Sequence, residues 1–401
     1  MYHFLINEDI DLQLNKVIKT DSHSSTPMIY QYRSRILKES YNYSHLAACG
    51  RPNYPVRNLV YKNQLINTIT VVLQSRSLMY CPVPKVATKT LLTVMLYMHV
   101  RDISEHLENN WTNVDFARAR MEQMIDISTF IEELRQNAIT IPKTEEPKSL
   151  AAFLRIYLNI IRFGSINGTP SSPPLNPWRL RFTYAFPYLR LHNLSNLSQI
   201  FSPSFTRIIF VRHPFERLAS AYKERIATLA RDRIQSEPDY DAMREMICRR
   251  RKLGRNFRQP LEKRDECKET IPSFEEFIRY ILVNTNKPAV VANMEYHWQP
   301  YSLLCQVCKF KYNFIGKYEM FNDHFIYFLK RFNLSDWNIQ KPNGASGLTK
   351  SDYQKFYFTL PDELICQLIR LYDEDFRLFN YRVDDYINRT TLIQNCKWLR
   401  T

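Results

Sequence analysis

Apolar positions along this chain switch between a strand-like and a helical period, and the switches predict strands that lead directly into helices. Leu78–Val83 is a short apolar run ending at Pro82 and Pro84, and Leu91–Val100 follows as an apolar helix. The pattern recurs at Ile208–Val211, a β-branched and aromatic strand, with Arg212–Pro214 as the turn and a helix from about Phe215. In that helix Phe215, Leu218, Ala219, Tyr222, Ile226 and Leu229 keep one face. Between the two units, residues 115–135 and 149–163 carry helical spacing and are separated by the breaker TIPKTEEPK. A Ser- and Pro-rich loop, Gly168–Pro177, closes the second, so 101–180 reads as a helical insertion.

Further along, Ser273 and Glu276 form a capping box for a helix through Leu282. Tyr312–Tyr318 reads as a strand and His324–Phe332 as a helix, and Pro361–Phe376 as a helix with proline in its first turn. Residues 1–75 are polar and patchy, an irregular arm, and 391–401 form a tail; the folded domain is expected over 76–390. Strands alternating with helices imply an α/β fold with a mainly parallel sheet covered on both faces.

Composition narrows the class. Hydrophobic residues at 45% and aromatics at 13% supply a core and exclude global disorder. Against 40 Asp+Glu stand 55 Lys+Arg, and the net charge of +15 draws anions: nucleotide, nucleic acid, acidic glycan or anionic lipid. The Cys305/Cys308 pair and the sequons at Asn42, Asn110, Asn167, Asn193, Asn196, Asn333 and Asn388 point to the secretory pathway. MYHFLINEDIDLQLNK offers no signal peptide, and no apolar run reaches the about 18 residues of a membrane span. The expectation is an N-terminal anchor missing from this chain; the alternative is a soluble intracellular protein with accidental sequons.

Candidate chemistry sits on the two strand-to-helix turns, because ligands of parallel sheets bind beyond the carboxyl ends of the strands. In Pro82-Val83-Pro84-Lys85-Val86-Ala87-Thr88-Lys89-Thr90, Lys85 is a point charge for a phosphate or leaving oxygen, and Ala87, Thr88 and Thr90 offer amides and hydroxyls. In Val211-Arg212-His213-Pro214-Phe215, Arg212 leaves the strand end; Ser220 lies about two turns into the helix. No G-x-x-x-x-G-K-[ST] occurs, which disfavours a P-loop ATPase.

YCPVPKVATKT resembles the 5′-phosphosulfate loop, and FVRHPFERLASAY the 3′-phosphate motif, of the Golgi carbohydrate sulfotransferases. PSFEEFIRYIL, EYHWQPYSLLCQVCKFKYNFIGKYE and LIRLYDEDFRLFNY resemble later blocks of the branch that holds the chondroitin/dermatan 4-O-sulfotransferases and the HNK-1 sulfotransferase. The resemblance covers about 76–100 and 200–385. It implies a P-loop-NTPase-like three-layer fold and 3′-phosphoadenosine-5′-phosphosulfate as sulfate donor. The donor would be held by Lys85, Val86, Ala87, Thr88, Lys89, Thr90, Arg212 and Ser220. The acceptor would be a chondroitin/dermatan-type glycan, and the compartment the Golgi lumen of a type II membrane protein. Departures stand at Thr88-Lys89-Thr90-Leu91, where the family usually has Cys-Thr-Asn-Trp, at His213 in place of Asp, and at Asn380 in place of Gly. Lys89 adds a second cation to the loop or marks a weakened, glycan-binding relative.

Sulfuryl transfer needs a base for the sugar hydroxyl, and His297 is the first candidate, His192 the second and Glu216 the third. Trp298 is expected to stack on sugar, and Arg249, Arg250 and Arg251, within the basic stretch 244–264, to line a polyanion groove. Packing of His297 and Trp298 in the core is the competing reading. Cys305-x-x-Cys308 lacks a second metal-ligand pair and a thioredoxin-like context, so no metal is expected and a structural disulfide between the two is. A nucleic-acid-binding protein and a nucleotide kinase are the alternatives; the first lacks any zinc-finger, basic-zipper or RNP-like pattern and leaves both anion turns unexplained.

Overall fold

The strand-to-helix reading holds at both turns. In the computed structural model of the protein, β1 (Val71–Leu73), β2 (Leu78–Cys81), β3 (Thr206–Val211) and β4 (Phe314–Lys317) form one sheet in the order β1-β2-β3-β4. The described residues are 71–109, 196–229, 238–253, 270–334 and 348–387, with isolated positions from Cys49 to Cys396 around them. All lie in the unit Tyr43–Thr401.

β2, β3 and β4 pair in parallel, with Cys81 opposite Ile209 and Phe210 opposite Gly316. β1 pairs antiparallel with β2, so the sheet starts inside the segment read as an irregular arm. β1 is only three residues long and joins β2 through a single 3-10 turn, too short for periodicity to register. Every residue of β2 and β3 is buried, as expected of parallel strands covered on both faces.

Among the described residues the helices that frame the site are α1 (Thr88–Asn109), α2 (Pro214–Ala221), α3 (Pro238–Leu253), α4 (Phe274–Ile281), α5 (Tyr301–Leu304), α6 (Phe321–Arg331), α7 (Lys350–Phe358), α8 (Asp362–Leu371) and α9 (Asp373–Leu378), beside short helical turns at Pro288–Ala292 and Val307–Phe310. The capping box is present in both bonds: Glu276 N–H donates to Ser273 Oγ, and Ser273 N–H to Glu276 Oε2 at 2.7 Å. The helix expected over Pro361–Phe376 is two, α8 and α9, broken at Tyr372. α2 differs from expectation in kind: all but Glu216 of its eight residues are buried, so it is covered all round rather than on one face. It continues into a π-helical turn, Tyr222–Ile226. Of the insertion, α1 occupies the start and Ile161 is buried against the sheet core, while 115–135 lies outside the described residues. One core surrounds the sheet; a second gathers α2, α4, α7 and α8.

All eight cysteines are paired: Cys49–Cys308, Cys81–Cys305, Cys248–Cys267 and Cys366–Cys396. The expected Cys305–Cys308 bridge is therefore corrected. Cys305 closes α5 and is fully buried against the end of β2, where Cys81 meets it. Gln306, in the left-handed region at φ 48°, turns the chain before Cys308, which reaches Cys49 instead. Such a set of bridges fits an oxidising compartment. Non-reducing peptide mapping should recover a Cys81–Cys305 link; a Cys305–Cys308 loop peptide would contradict this arrangement.

Gly316 marks the tightest point of the sheet. A Cβ there would overlap the ring of Phe210, its partner across β3–β4. Gly316→Ala is expected to destabilise the protein by roughly 1–3 kcal/mol through overpacking, measured by urea unfolding. Unchanged stability would mean that the ring moves aside at no cost.

Candidate active site

Because β2 and β3 run parallel side by side, the chain leaves both at the same edge of the sheet. The first turn is held in an unusual backbone: Lys85 and Ala87 have φ of 72° and 60°, left-handed values that side chains disfavour. Val86 is buried between them. Ala87 C=O accepts the Leu91 N–H at 3.2 Å, the first bond of α1. The amides of the helix's first turn are not used by the helix itself and lie at the mouth of the loop. Thr88 donates its hydroxyl to Val83 C=O, tying the loop's two ends; Lys89 is exposed and Thr90 half-buried.

In the second turn His213 caps α2, its Nδ1 accepting from Phe215 N–H at 3.3 Å and its Nε2 meeting Arg382 C=O at 2.9 Å. That pairing requires the neutral ring with the proton on Nε2. Burial pushes its pKa down to about 4, although the backbone bond and Asp385 oppose this. Its own N–H donates to Glu319 Oε1 at 2.7 Å.

The two turns touch through Arg212. Its guanidinium donates to Lys85 C=O at 3.2 Å and to Glu216 Oε1 at 2.9 Å, and lies between the rings of Tyr318 and Tyr353, 4.4 and 4.9 Å from their centroids. Tyr301 pins the same corner, accepting from Arg212 N–H at 3.1 Å and donating to Arg212 C=O at 2.9 Å. Buried Asp375 accepts the Tyr301 and Ser302 amides at 2.7 and 2.9 Å, which fixes α5 in turn. Ser220 is buried on α2.

From Lys85 a row of alternating groups runs outward. Lys85 Nζ pairs with the Glu224 carboxylate, whose other oxygen lies 3.8 Å from Arg225. Arg225 Nε donates to His297 Nε2 at 3.1 Å; His297 Nδ1 in turn donates to Glu295 Oε1 at 2.7 Å, and Tyr240 donates to the same oxygen at 3.0 Å. Burial first, then the charges of Arg225 and Lys85, lower the His297 pKa against the pull of Glu295.

The expected base lies within this row. His297 is 2% exposed, and the lone pair that would take a proton already accepts from Arg225. Glu216 is engaged by Arg212 and by the Tyr386 hydroxyl. His192 lies outside the described residues. Trp298, 2% exposed, packs edge-on against Phe277 in the second core, so it offers no face for stacking on a sugar. Arg249, Arg250 and Arg251 are half-buried or exposed near the end of α3 and have local partners: Glu245 at 4.0 Å, the Tyr280 ring at 5.3 Å and Glu276 at 2.9 Å. A cleft of about 430 Å³ opens instead beside the π-helical turn, lined by Tyr222, Lys223, Phe274, Asp352, Lys355 and Phe356 among others.

Three supporting residues escaped the sequence. Arg217, 1% exposed on α2, donates to Gln299 and Tyr296 C=O at 2.7 and 2.8 Å and so holds the segment that carries His297. Arg244, 2% exposed, donates to the carbonyls of Arg225 and Thr228 at 2.8 and 3.1 Å and closes the π-helical turn. Glu224 is the third. For Arg217 the available signal was a cation on the helix between the apolar positions Phe215 and Leu218.

The profile of the Sulfotransferase family matches residues 176–382. Carbohydrate sulfotransferase 11 of Rattus norvegicus is 30% identical over 204 residues, covering 49% of this chain and 54% of its own. Carbohydrate sulfotransferase 12 of Xenopus laevis is 30% identical over 187 residues, covering 46% and 42%. Carbohydrate sulfotransferase 10 of Gallus gallus is 28% identical over 189 residues, covering 46% and 48%. The chain thus spans about half the length of the curated relatives it matches. No solved structure matches it.

The buried neutral His213 gives the site a pH signature. Below the ordinary value of 6.5 the unfolded chain takes up a proton that native His213 refuses until about pH 4. Stability should therefore fall as pH drops through that window, by up to about 1.4 kcal/mol per unit from this residue. His213→Asn keeps a capping oxygen without titrating. Urea midpoints between pH 7 and 4 should show a flatter dependence for the variant; parallel curves would contradict the assignment.

Proposed function

Because the chain belongs to the sulfotransferase family, we propose that it moves the sulfuryl group of 3′-phosphoadenosine-5′-phosphosulfate to a sugar hydroxyl of a glycosaminoglycan or glycoprotein glycan. The observation that carries the reading is the hydrogen bond from the Arg212 guanidinium to Lys85 C=O, which joins two cationic strand-to-helix turns into one edge of a parallel sheet. A donor with phosphate at both its 3′ and 5′ positions needs two such anion sites at a fixed separation.

In this reading the sheet is the centre of a P-loop-NTPase-like three-layer fold, in the domain expected over 76–390 and extended to Val71 by β1. Lys85 and the amides of Val86, Ala87, Thr88, Lys89 and Thr90 take the 5′-phosphosulfate. Arg212 and Ser220 take the 3′-phosphate, which displaces Glu216 from the guanidinium. Lys85 neutralises charge on the leaving phosphate oxygen as it develops. The acceptor chain is assigned to the cleft beside Lys223 and the Lys355–Asp352 ion pair (2.8 Å), where polar groups flank the aromatic rings of Tyr222, Phe274 and Phe356. Chondroitin/dermatan-type 4-O-sulfation is the acceptor chemistry we favour, after the blocks that resemble that branch. The four disulfides support a lumenal, Golgi setting.

Titration calorimetry with 3′-phosphoadenosine-5′-phosphate and with ATP tests the reading. The first should bind wild type far more tightly, because ATP lacks the 3′-phosphate. Arg212→Ala should weaken that binding by about 2 kcal/mol or more and leave ATP nearly unaffected. Lys85→Ala should lower turnover by orders of magnitude as well as product affinity. Equal wild-type affinity for the two nucleotides would overturn the proposal.

A further inference from the structure

We propose that Glu224 is the group that takes the acceptor hydroxyl proton. The inference rests on the sulfotransferase reading above and names a residue for its unassigned half-reaction. Its basis is the contact between the Glu224 carboxylate and the Lys85 ammonium.

Three observations support it. The Glu224 side chain is 47% exposed while that of Lys85 is 11%, so the carboxylate is the more open member of the pair, and it follows Lys223 of the cleft in the chain. It stands on the π-helical turn Tyr222–Ile226, a distortion that re-aims side chains and recurs at functional sites. That turn is fixed from behind, because Arg244 holds the carbonyls of Arg225 and Thr228. Of the other candidates, His297 is committed to Arg225 and Glu295, and Glu216 stands beside Arg212, the cation assigned above to the 3′-phosphate rather than to the leaving oxygen.

The chemistry closes with these groups. The acceptor oxygen bonds to sulfur while the bond from sulfur to the 5′-phosphate oxygen breaks. The bonding pair stays on that phosphate oxygen, beside Lys85, and the hydroxyl proton passes to Glu224. In an in-line displacement the two oxygens lie on opposite sides of one sulfur, only a few bond lengths apart. A carboxylate in contact with the ammonium at one oxygen is within reach of the other. Before the donor arrives, the same carboxylate holds Lys85 in place; the incoming phosphosulfate takes over the ammonium and releases Glu224 to the acceptor.

The test measures transfer of labelled sulfate from the donor to unsulfated chondroitin, with donor hydrolysis in water as a second readout. Nucleotide affinity is followed by calorimetry with 3′-phosphoadenosine-5′-phosphate, on the full chain. Glu224→Gln should lower turnover by roughly 10²–10⁴-fold while binding the nucleotide as tightly as wild type or more so. Glu224→Ala should regain turnover when formate is added, with saturation. Turnover of Glu224→Gln within fivefold of wild type would overturn the assignment. So would a loss of nucleotide affinity matching the loss of turnover, since Glu224 would then only order Lys85. A wild-type chain that binds no nucleotide, or that binds it and transfers sulfate to neither acceptor nor water, would instead sink the sulfotransferase reading itself.

Discussion

The parallel pairing of β2 with β3 is the constraint on which the site depends. With Cys81 opposite Ile209, both chains leave the sheet at one edge, and the two turns have no choice but to meet. Around this pairing the structure adds fasteners of different kinds. A disulfide ties the last residue of β2 to the end of α5, and Tyr301, on that same helix, holds both backbone groups of Arg212 just past the end of β3. Asp375 fixes the start of α5 through two amides. A slip of β2 against β3 would break the bridge and separate Lys85 from Arg212. Register here is a functional quantity as well as a packing one.

Electrostatics sets the state of the site before any ligand arrives. The protein carries a net charge of +15, yet each of its two key cations is matched by a carboxylate from one helical segment, Arg212 by Glu216 and Lys85 by Glu224. Burying a lone guanidinium or ammonium is costly, and a carboxylate at contact distance offsets that cost. A phosphate entering such a site exchanges anions rather than neutralising a bare charge. Its net gain is therefore smaller than a count of cations suggests, which favours a ligand able to displace both carboxylates together. A nucleotide bearing two separated phosphate groups meets that demand; a single phosphate engages one pair and leaves the other closed.

Local patterns were legible in the sequence and long-range ones were not. The turns after Cys81 and Val211, the capping box at Ser273 and the strand at Phe314–Lys317 depend on neighbours a few residues apart, so periodicity and cap chemistry identify them. The fates of His297 and Trp298 depend on Arg225, Tyr240 and Phe277, brought in from elsewhere in the chain, and no spacing rule contains that information. The cysteines make the same point: Cys305 and Cys308 are close in sequence, yet Cys81 and Cys49 are their partners. Arginines were misread in both directions. Arg244, in the basic stretch expected to line a polyanion groove, is buried on backbone carbonyls, and Arg217, beside Glu216 in α2, holds distant carbonyls that no spacing rule reveals.

The departures at the first turn bear on whether the site still takes an anion. Helix N-termini carry partial positive charge and favour Asp or Glu, and a lysine there costs about 0.3–1 kcal/mol when exposed. The first turn of α1 holds no acidic residue, and Lys89 stands exposed within it. Lys85 lies three residues before the helix, in a loop whose backbone is held left-handed at two side-chain-bearing positions. Two of these features oppose the stability of an empty helix terminus, a cation against the dipole and a left-handed approach, whereas Lys85 is offset by Glu224. Acidic caps and glycine would remove both costs at once. An anion from outside the chain, seated at the loop, would meet the amides that this turn presents. In the proposed reading, Lys89 would add a second cation to the capture of that anion.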